Sequence, residues 1–383
     1  MKGLDLAVIG AGPAGLAAAI EGGKRGCRVA VMDMNLQPGG QLIKQIHKFF
    51  GAREHSAGSR GVDIARRLYR DAEGVGVEIL TSCEVYSIQP GNRLEVILTS
   101  FGDSNRGHSQ SSTYMRRRHE SISAKQVVIA TGGAENALNF EGWTLPGVMG
   151  AGAAQTMANV WRVLPGERVL MVGAGNVGLI VAYQLLQAGA EVKAVVEAAP
   201  EIGGYGVHAA KVSRAGVPIL TAHTVVRAFG ESQVTGAQIA RVDESWNPIP
   251  GSEQELDVDT ICIATGLRPN TRIASLAGCK LMYSPVLGGW TPIHNKRLET
   301  SVPGIYVAGD AAGIEEASTA LEEGRLAGIA AAVALGKGRR EDREEIEAIA
   351  ARLSSLRGGP FCAERAVAKQ EILSRAEAIC QKD

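Results

Sequence analysis

The chain has 383 residues, room for two or three domains, with 40 basic side chains set against 40 acidic ones. That balance gives no electrostatic case for nucleic acid or an anionic membrane, and no run reaches the roughly 18 apolar residues needed to cross a bilayer. Hydrophobic residues make up 45% of the sequence, ample for a full core, and the 48 glycines gather in short loops after apolar runs without a collagen-like period.

In chain order, the N-terminus runs directly into an apolar strand at 4–9, and the glycines and proline behind it break any signal h-region, so the cytoplasm is the expected location. Residues 14–24 read as an alanine-rich helix and 28–32 as the next strand, the first β-turn-α-β unit of a doubly wound sheet. Gly39-Gly40-Gln41-Leu42 opens a loop and a polar segment to 61, after which 62–74 reads as helix and 77–80 and 84–88 as strands. Residues 94–99 and 121–124 predict a hairpin whose long tip, 102–120, carries Arg116-Arg117-Arg118-His119. That basic cluster reads as a solvated loop, with partner docking as the alternative. A strand at 126–130 ends in Thr131-Gly132-Gly133.

The opening pattern then repeats: a strand at 168–172, a glycine turn at 173–178, a helix at 179–188 and a strand at 191–196. The two turns, starting at Gly10 and Gly173, lie one domain length apart, which predicts an internal duplication. A strand at 260–264 ends in Thr265-Gly266, and one at 305–308 leads through Gly309-Asp310 into a helix at 318–335. Beyond Gly336 a charged helical segment, with Arg339, Arg340 and Glu341 through Glu345, reads as a solvated tail or docking helix.

The chemistry lies in the glycine turns. In Gly10-Ala11-Gly12-Pro13-Ala14-Gly15 the first glycine permits the tight turn, the second lets backbone touch a pyrophosphate, and the third lets helix pack on strand. The helix N-terminus offers free N–H groups to phosphate. Asp33, closing the strand after that helix, stands where a carboxylate accepts the ribose hydroxyls. Gly173-Ala174-Gly175-Asn176-Val177-Gly178 repeats the arrangement, with Glu197 closing its own second strand. That acid, followed by Ala198 and Ala199 rather than arginine, points to NAD and not NADP; a duplicated fold that has lost its ligand is the alternative. The paired strand ends Ala130-Thr131-Gly132 and Ala264-Thr265-Gly266 let a nucleotide or a crossing segment lie close. Asp310, at the end of a buried strand and facing a helix start, suits a ribityl hydroxyl, with a simple helix N-cap as the alternative.

The six cysteines are well separated in sequence, which removes a CxxC dithiol, a zinc knuckle and a clustered iron–sulfur site; buried inert thiols are expected. His47, after the Gly-Gly-Gln-Leu loop, and His294, near Trp290, read as structural before chemical. No catalytic acid or base and no metal-ligand cluster stands out.

The order of these motifs resembles the two-dinucleotide-fold flavoproteins typified by thioredoxin reductase, over residues 4–336. The resemblance implies an α/β fold of two Rossmann-like dinucleotide-binding domains, the second inserted in the first, plus a short helical C-terminal tail. It places an FAD-binding domain at 1–160 and 286–336, an NAD(P)-binding-like domain at 161–285 and a helical extension at 337–383. It implies FAD contacts at Gly10, Gly12, Pro13, Ala14, Gly15, Asp33, Gly40, Gln41, Val85, Thr131, Gly132, Gly309, Asp310 and Ala317. It implies NAD(H) contacts at Gly173, Gly175, Asn176, Gly178, Glu197 and Gly266. The missing CxxC departs from the thioredoxin reductases. Leu145-Pro146-Gly147-Val148-Met149, Leu287-Gly288-Gly289-Trp290 and the stretch from Gly313 to Gly328 look like the large subunits of dye-linked proline or hydroxyproline dehydrogenases, opine oxidases and hydrogen cyanide synthase. That likeness implies a hetero-oligomer with a small [2Fe-2S] protein and an amine-oxidase-like flavoprotein subunit, since Cys362 and Cys380 alone lie beyond 336. It also admits ATP in the first site in place of FAD. A stand-alone NADH-dependent reductase and a non-catalytic nucleotide-binding scaffold are the competing readings.

Overall fold

The computed structural model describes residues 3–49, 52–103, 113–359 and 362–380. They form two compact units, one of 1–134 with 268–383 and one of 135–267.

In the first unit, β1 (Leu4–Ile9) is buried along its whole length. Such a run, apolar on both faces, is what a parallel strand covered from both sides requires. The glycine turn leads into α1 (Pro13–Lys24), with proline in its first turn, where its missing N–H costs nothing. Then come β2 (Val29–Met32), α2 (Gly61–Gly74), β3 (Glu78–Leu80), β4 (Cys83–Gln89), β5 (Arg93–Asp103) and β6 (Thr113–Ile129). The sheet runs β3-β2-β1-β6-β5-β4, parallel from β3 to β6 and antiparallel beyond. One long strand joins the two halves: β6 pairs with β5 from Asp103↔Thr113 to Arg93↔Ser123, then with β1 from Leu4↔Ala124 to Ile9↔Ile129.

The expected hairpin forms, and its strands run further than expected. The ladder continues past Thr99, so Arg116, Arg117, Arg118 and His119 stand on a strand rather than in a loop, largely exposed, and the tip at 104–112 lies outside the described residues.

In the second unit, β7 (Val148–Gly150) and α3 (Ala151–Thr156) precede the repeated motif, β8 (Arg168–Val172), α4 (Asn176–Gln187) and β9 (Glu191–Glu197). After α5 (Gly206–Arg214) come β10 (Ile219–Thr221), β11 (His223–Phe229), β12 (Gly236–Arg241), β13 (Gln254–Leu256) and β14 (Thr260–Ile263). The parallel sheet is β10-β9-β8-β14-β7, and β11-β12-β13 form a separate antiparallel sheet. Because β7 hydrogen-bonds to β14, this unit begins well before residue 161.

The first unit resumes with α6 (Arg272–Leu276), the hairpin β15 (Leu281–Ser284) and β16 (Gly289–Pro292), and β17 (Ile305–Val307), which lies parallel to β6. Next is α7 (Ala317–Ala334). A Cβ on Gly324 would lie 2.1 Å from the Ala14 carbonyl oxygen and one on Gly328 2.3 Å from that of Ala18, so two glycines set how closely α7 lies on α1.

The extension forms α8 (Asp342–Arg357) and α9 (Ala363–Cys380), and neither is a solvated tail. Ile349 and Ile372 are fully buried, as Leu353, Ala368 and Ala376 nearly are. Arg25, which follows α1 as its C-cap, has its side chain 1% exposed and reaches Asp342 at 2.7 Å, Glu345 at 2.7 Å and Glu21 at 2.5 Å. The charge run that suggested solvation starts a docked helix whose acids answer a buried guanidinium.

Candidate functional site

The first glycine turn is constrained from beneath and open above. Gly10 has φ +104°, and a Cβ there would lie 2.3 Å from the Ala130 carbonyl oxygen. A Cβ on Gly15 would lie 1.8 Å from the Gly10 carbonyl oxygen. At Gly12, by contrast, the nearest atom to an added Cβ is Gly40 Cα at 3.9 Å. The turn is fastened by Asp33, which is buried and accepts the Ala11 N–H at 2.6 Å while its other oxygen takes the backbone and side-chain N–H groups of Asn35 at 2.8 Å each. Gly39 donates to the Ala11 carbonyl at 2.7 Å, bringing the Gly39-Gly40 loop over the turn.

The second turn is a geometric twin. Gly173 has φ +109°, with an added Cβ 2.4 Å from the Ala264 carbonyl oxygen, and a Cβ on Gly178 would lie 2.0 Å from the Gly173 oxygen. Around a Cβ on Gly175 nothing lies within 4 Å. Glu197 accepts the Ala174 N–H at 2.8 Å and the Ala199 N–H at 3.1 Å. Gly204 donates to the Ala174 carbonyl at 2.9 Å, and Asn176 Oδ1 accepts the Tyr205 N–H at 2.8 Å. Gly203-Gly204 therefore repeats what Gly39-Gly40 does above. Sequence reasoning missed this second pair, although it follows Gly173 at nearly the same interval as Gly39-Gly40 follows Gly10.

Other expected residues converge on the first turn. Thr131 donates through Oγ1 to the Asn270 carbonyl at 2.7 Å, and Gly132 has φ +69°. A Cβ on Gly133 would meet Ile314 at 2.8 Å and Asp310 Cβ at 3.6 Å, while one on Gly309 would meet Ala14 Cβ at 2.8 Å. Pro13 and Ala14 open α1, and Ala317 opens α7, whose N-terminus follows the Gly309-Asp310 segment. Gln41 is exposed beside Gly40. Val85 differs: its side chain is buried in the hydrophobic cluster with Met32 and Ile129, so only its backbone is left to meet a ligand. In the second unit Gly266, φ +108°, accepts the Asn136 N–H through its carbonyl at 3.0 Å.

Burial raises the pKa of Asp310 to about 6, with Glu323 and Glu316 pushing the same way and the Glu315 backbone N–H and Lys369 opposing. Behind it, Glu323 accepts the Gly309 N–H at 2.9 Å. Burial would push Glu323 up, but Lys369 and Arg357 outweigh it and hold the carboxylate ionised. Fully buried His294 is neutral, its pKa lowered to about 4 chiefly by burial. It belongs to this packed interior rather than to a reacting surface. Cys27, Cys83, Cys262 and Cys279 are all buried free thiols.

The residues of both turns fit a dinucleotide. Each offers an unobstructed middle glycine, a helix N-terminus and a fixed carboxylate, the chemistry that takes a pyrophosphate and a ribose. Fold and site together define a flavoprotein oxidoreductase built from two dinucleotide-binding domains. Residues 4–324 match the pyridine nucleotide-disulphide oxidoreductases, and the chain belongs to that family, whose members bind FAD and NAD(P). It is 29% identical over 371 residues to an opine oxidase subunit of Rhizobium meliloti, covering 92% of this chain and 66% of that one. It is 28% identical to the hydrogen cyanide synthase subunit HcnB of Pseudomonas aeruginosa, covering 84% and 69%. Among solved structures, the fold matches the thioredoxin reductase of T. acidophilum with a TM-score of 0.66 at 21% identity, over 88% of this chain and 99% of that one. The chain thus spans about two thirds of the length of the opine oxidase protein. Among the described residues, no helix is long and apolar enough to cross a membrane.

Proposed function

We propose that this chain is the electron-transferring, nucleotide-binding subunit of a heteromeric cytoplasmic dehydrogenase for amino or imino acids of the proline, hydroxyproline or opine kind. The observation that carries the reading is similarity over 92% of the chain to an opine oxidase subunit, together with two structurally intact cradles. In this reading the first cradle holds FAD, which supplies the hydride-accepting ring. Gly12 and the α1 N-terminus receive the pyrophosphate, Asp33 faces the ribose, and Asp310 takes a ribityl hydroxyl, with Gly15, Gly40, Gln41, Thr131, Gly132, Gly309 and Ala317 shaping the surround. The second cradle holds NAD(H) through Gly173, Gly175, Asn176, Gly178, Glu197 and Gly266. The protein's part is to bind, orient and exclude water. The amine pocket belongs to an amine-oxidase-like flavoprotein partner, and a small [2Fe-2S] protein passes the electrons on.

The completeness of the second cradle favours one further reading, a self-sufficient NADH-dependent reductase. Spectra of the purified chain separate the two. A flavin spectrum that NADH leaves unchanged, and that an amine substrate bleaches once the partner is added, supports the heteromeric reading. Bleaching by NADH alone supports the reductase. A colourless protein that releases ATP on denaturation overturns both and leaves a scaffold.

A further inference from the structure

The family match ends at residue 324, inside α7, yet α8 and α9 beyond it send charges into the interior of the first unit. Lys369 of α9, its side chain 6% exposed, donates to Glu323 at 2.8 Å and to the Ala312 carbonyl at 3.0 Å. Arg357 at the end of α8 contacts both oxygens of Glu315, at 2.9 and 2.5 Å, and reaches Glu323 at 2.5 Å. Glu315 and Glu323 are 7% and 2% exposed at the side chain, so two buried anions are matched by two cations. A buried carboxylate without such partners costs several kcal/mol.

These contacts meet residues 309–316 at three points. Glu323 takes the Gly309 N–H at the start, Lys369 takes the Ala312 carbonyl in the middle, and Arg357 holds Glu315 near the end. The segment needs outside support because it contains Gly309 at φ +69° and Gly313 at φ +128°, and glycine gives up the most backbone freedom on being ordered. We propose that α8 and α9 form an electrostatic clamp that positions the 309–316 backbone for the bound nucleotide, with Lys369 and Arg357 as positioning residues acting through Glu323 and Glu315. The inference rests on the FAD reading of the first cradle. It adds that the two C-terminal helices govern how well that cradle holds its ligand.

The test uses the full chain and three variants: Lys369→Met, Lys369→Arg, and the charge-balanced pair Glu323→Gln with Lys369→Met, which leaves no lone buried charge if the single change impairs folding. Amide exchange is followed in flavin-stripped protein, and the FAD dissociation constant and flavin midpoint potential in reloaded protein. In Lys369→Met we expect faster exchange at 309–316, an FAD dissociation constant raised about tenfold or more, and a shifted potential, with Lys369→Arg recovering most of the affinity. Unchanged FAD affinity and potential in both Lys369→Met and the pair would overturn the proposal, even where exchange rises, because the contacts would then serve folding alone. If the wild-type chain takes no FAD, the cofactor reading falls by itself. The clamp is then judged with ATP in place of FAD, upheld by weaker ATP binding in Lys369→Met and refuted by unchanged binding.

Discussion

Asp33 accepts the N–H of Ala11 at 2.6 Å, so one oxygen of the carboxylate expected to meet a ribose also fastens the glycine turn itself. Replacing Asp33 with alanine should lower the unfolding free energy by about 2 kcal/mol, the scale of a hydrogen bond to a charged group, and reduce the flavin carried per chain. Denaturant melts and the flavin-to-protein absorbance ratio report the two effects. Full flavin content in a destabilised variant would separate the fastening role from ligand contact and remove the second.

Gly12 and Gly15 are neighbours in one motif, but their substitutions should fail differently. Gly15→Ala drives a methyl to 1.8 Å from a carbonyl oxygen and should cost about 2 kcal/mol or more of stability. Gly12 has φ −73° and free space, so Gly12→Ala should fold within about 0.5 kcal/mol of wild type. It should nonetheless lose flavin, because the added methyl occupies the pyrophosphate's place. Normal flavin retention by Gly12→Ala would mean that the ligand does not sit on this turn.

The second cradle invites the same experiment with a different ligand. Gly175 has φ −72° and an unobstructed Cβ position, so Gly175→Ala should leave the melting temperature alone and weaken NADH binding, as should Glu197→Gln. Calorimetric titration with NADH decides the matter. Wild-type NADH binding in both variants would show that the duplicated turn is not a nicotinamide nucleotide site.

His294, buried, and Asp310, half-buried, should give opposing pH dependences. His294, lowered to about 4, binds a proton more readily when unfolded. Its contribution to stability is therefore complete above its ordinary value near 6.5 and is lost as pH falls toward 4. Asp310, raised to about 6, binds its proton more tightly when folded, so stability falls as pH rises from about 4 to 6 and is level above that. Denaturation between pH 4 and 7 should show His294→Asn losing the acid-side decline and Asp310→Asn steepening it, each by on the order of 2 kcal/mol. Parallel curves for wild type and both variants would contradict these assignments.

Arg25 should be costly to remove. Arg25→Met leaves Asp342 without its cation and Glu21 with Lys24 alone, and should destabilise the protein by about 3 kcal/mol, with faster amide exchange across α8. A loss under about 1 kcal/mol would indicate that water replaces the guanidinium.

Much of this architecture was legible because its signals are local. The apolar runs at β1 and β8, the glycines after them and the acids at Asp33 and Glu197 are each explained within one short stretch of chain. What escaped is long-range. Arg357 and Lys369 look like solvated helix charges until the fold places Glu315 and Glu323 against them. Gly203-Gly204 sits in a loop without periodicity and gains meaning only when Gly204 meets Ala174. The arginines of β6 suggested a loop because an exposed strand far along a hairpin has no buried face to set an alternating pattern.

The buried cysteines carry a last consequence. Burial raises the Cys83 and Cys262 thiols to about 12 and pushes Cys27 and Cys279 upward as well. The thiolate is the form that attacks disulfides, alkylating agents and peroxide. In a family named for disulphide chemistry, these four sulfurs are bystanders. Iodoacetamide or peroxide should find them unreactive while the fold is intact.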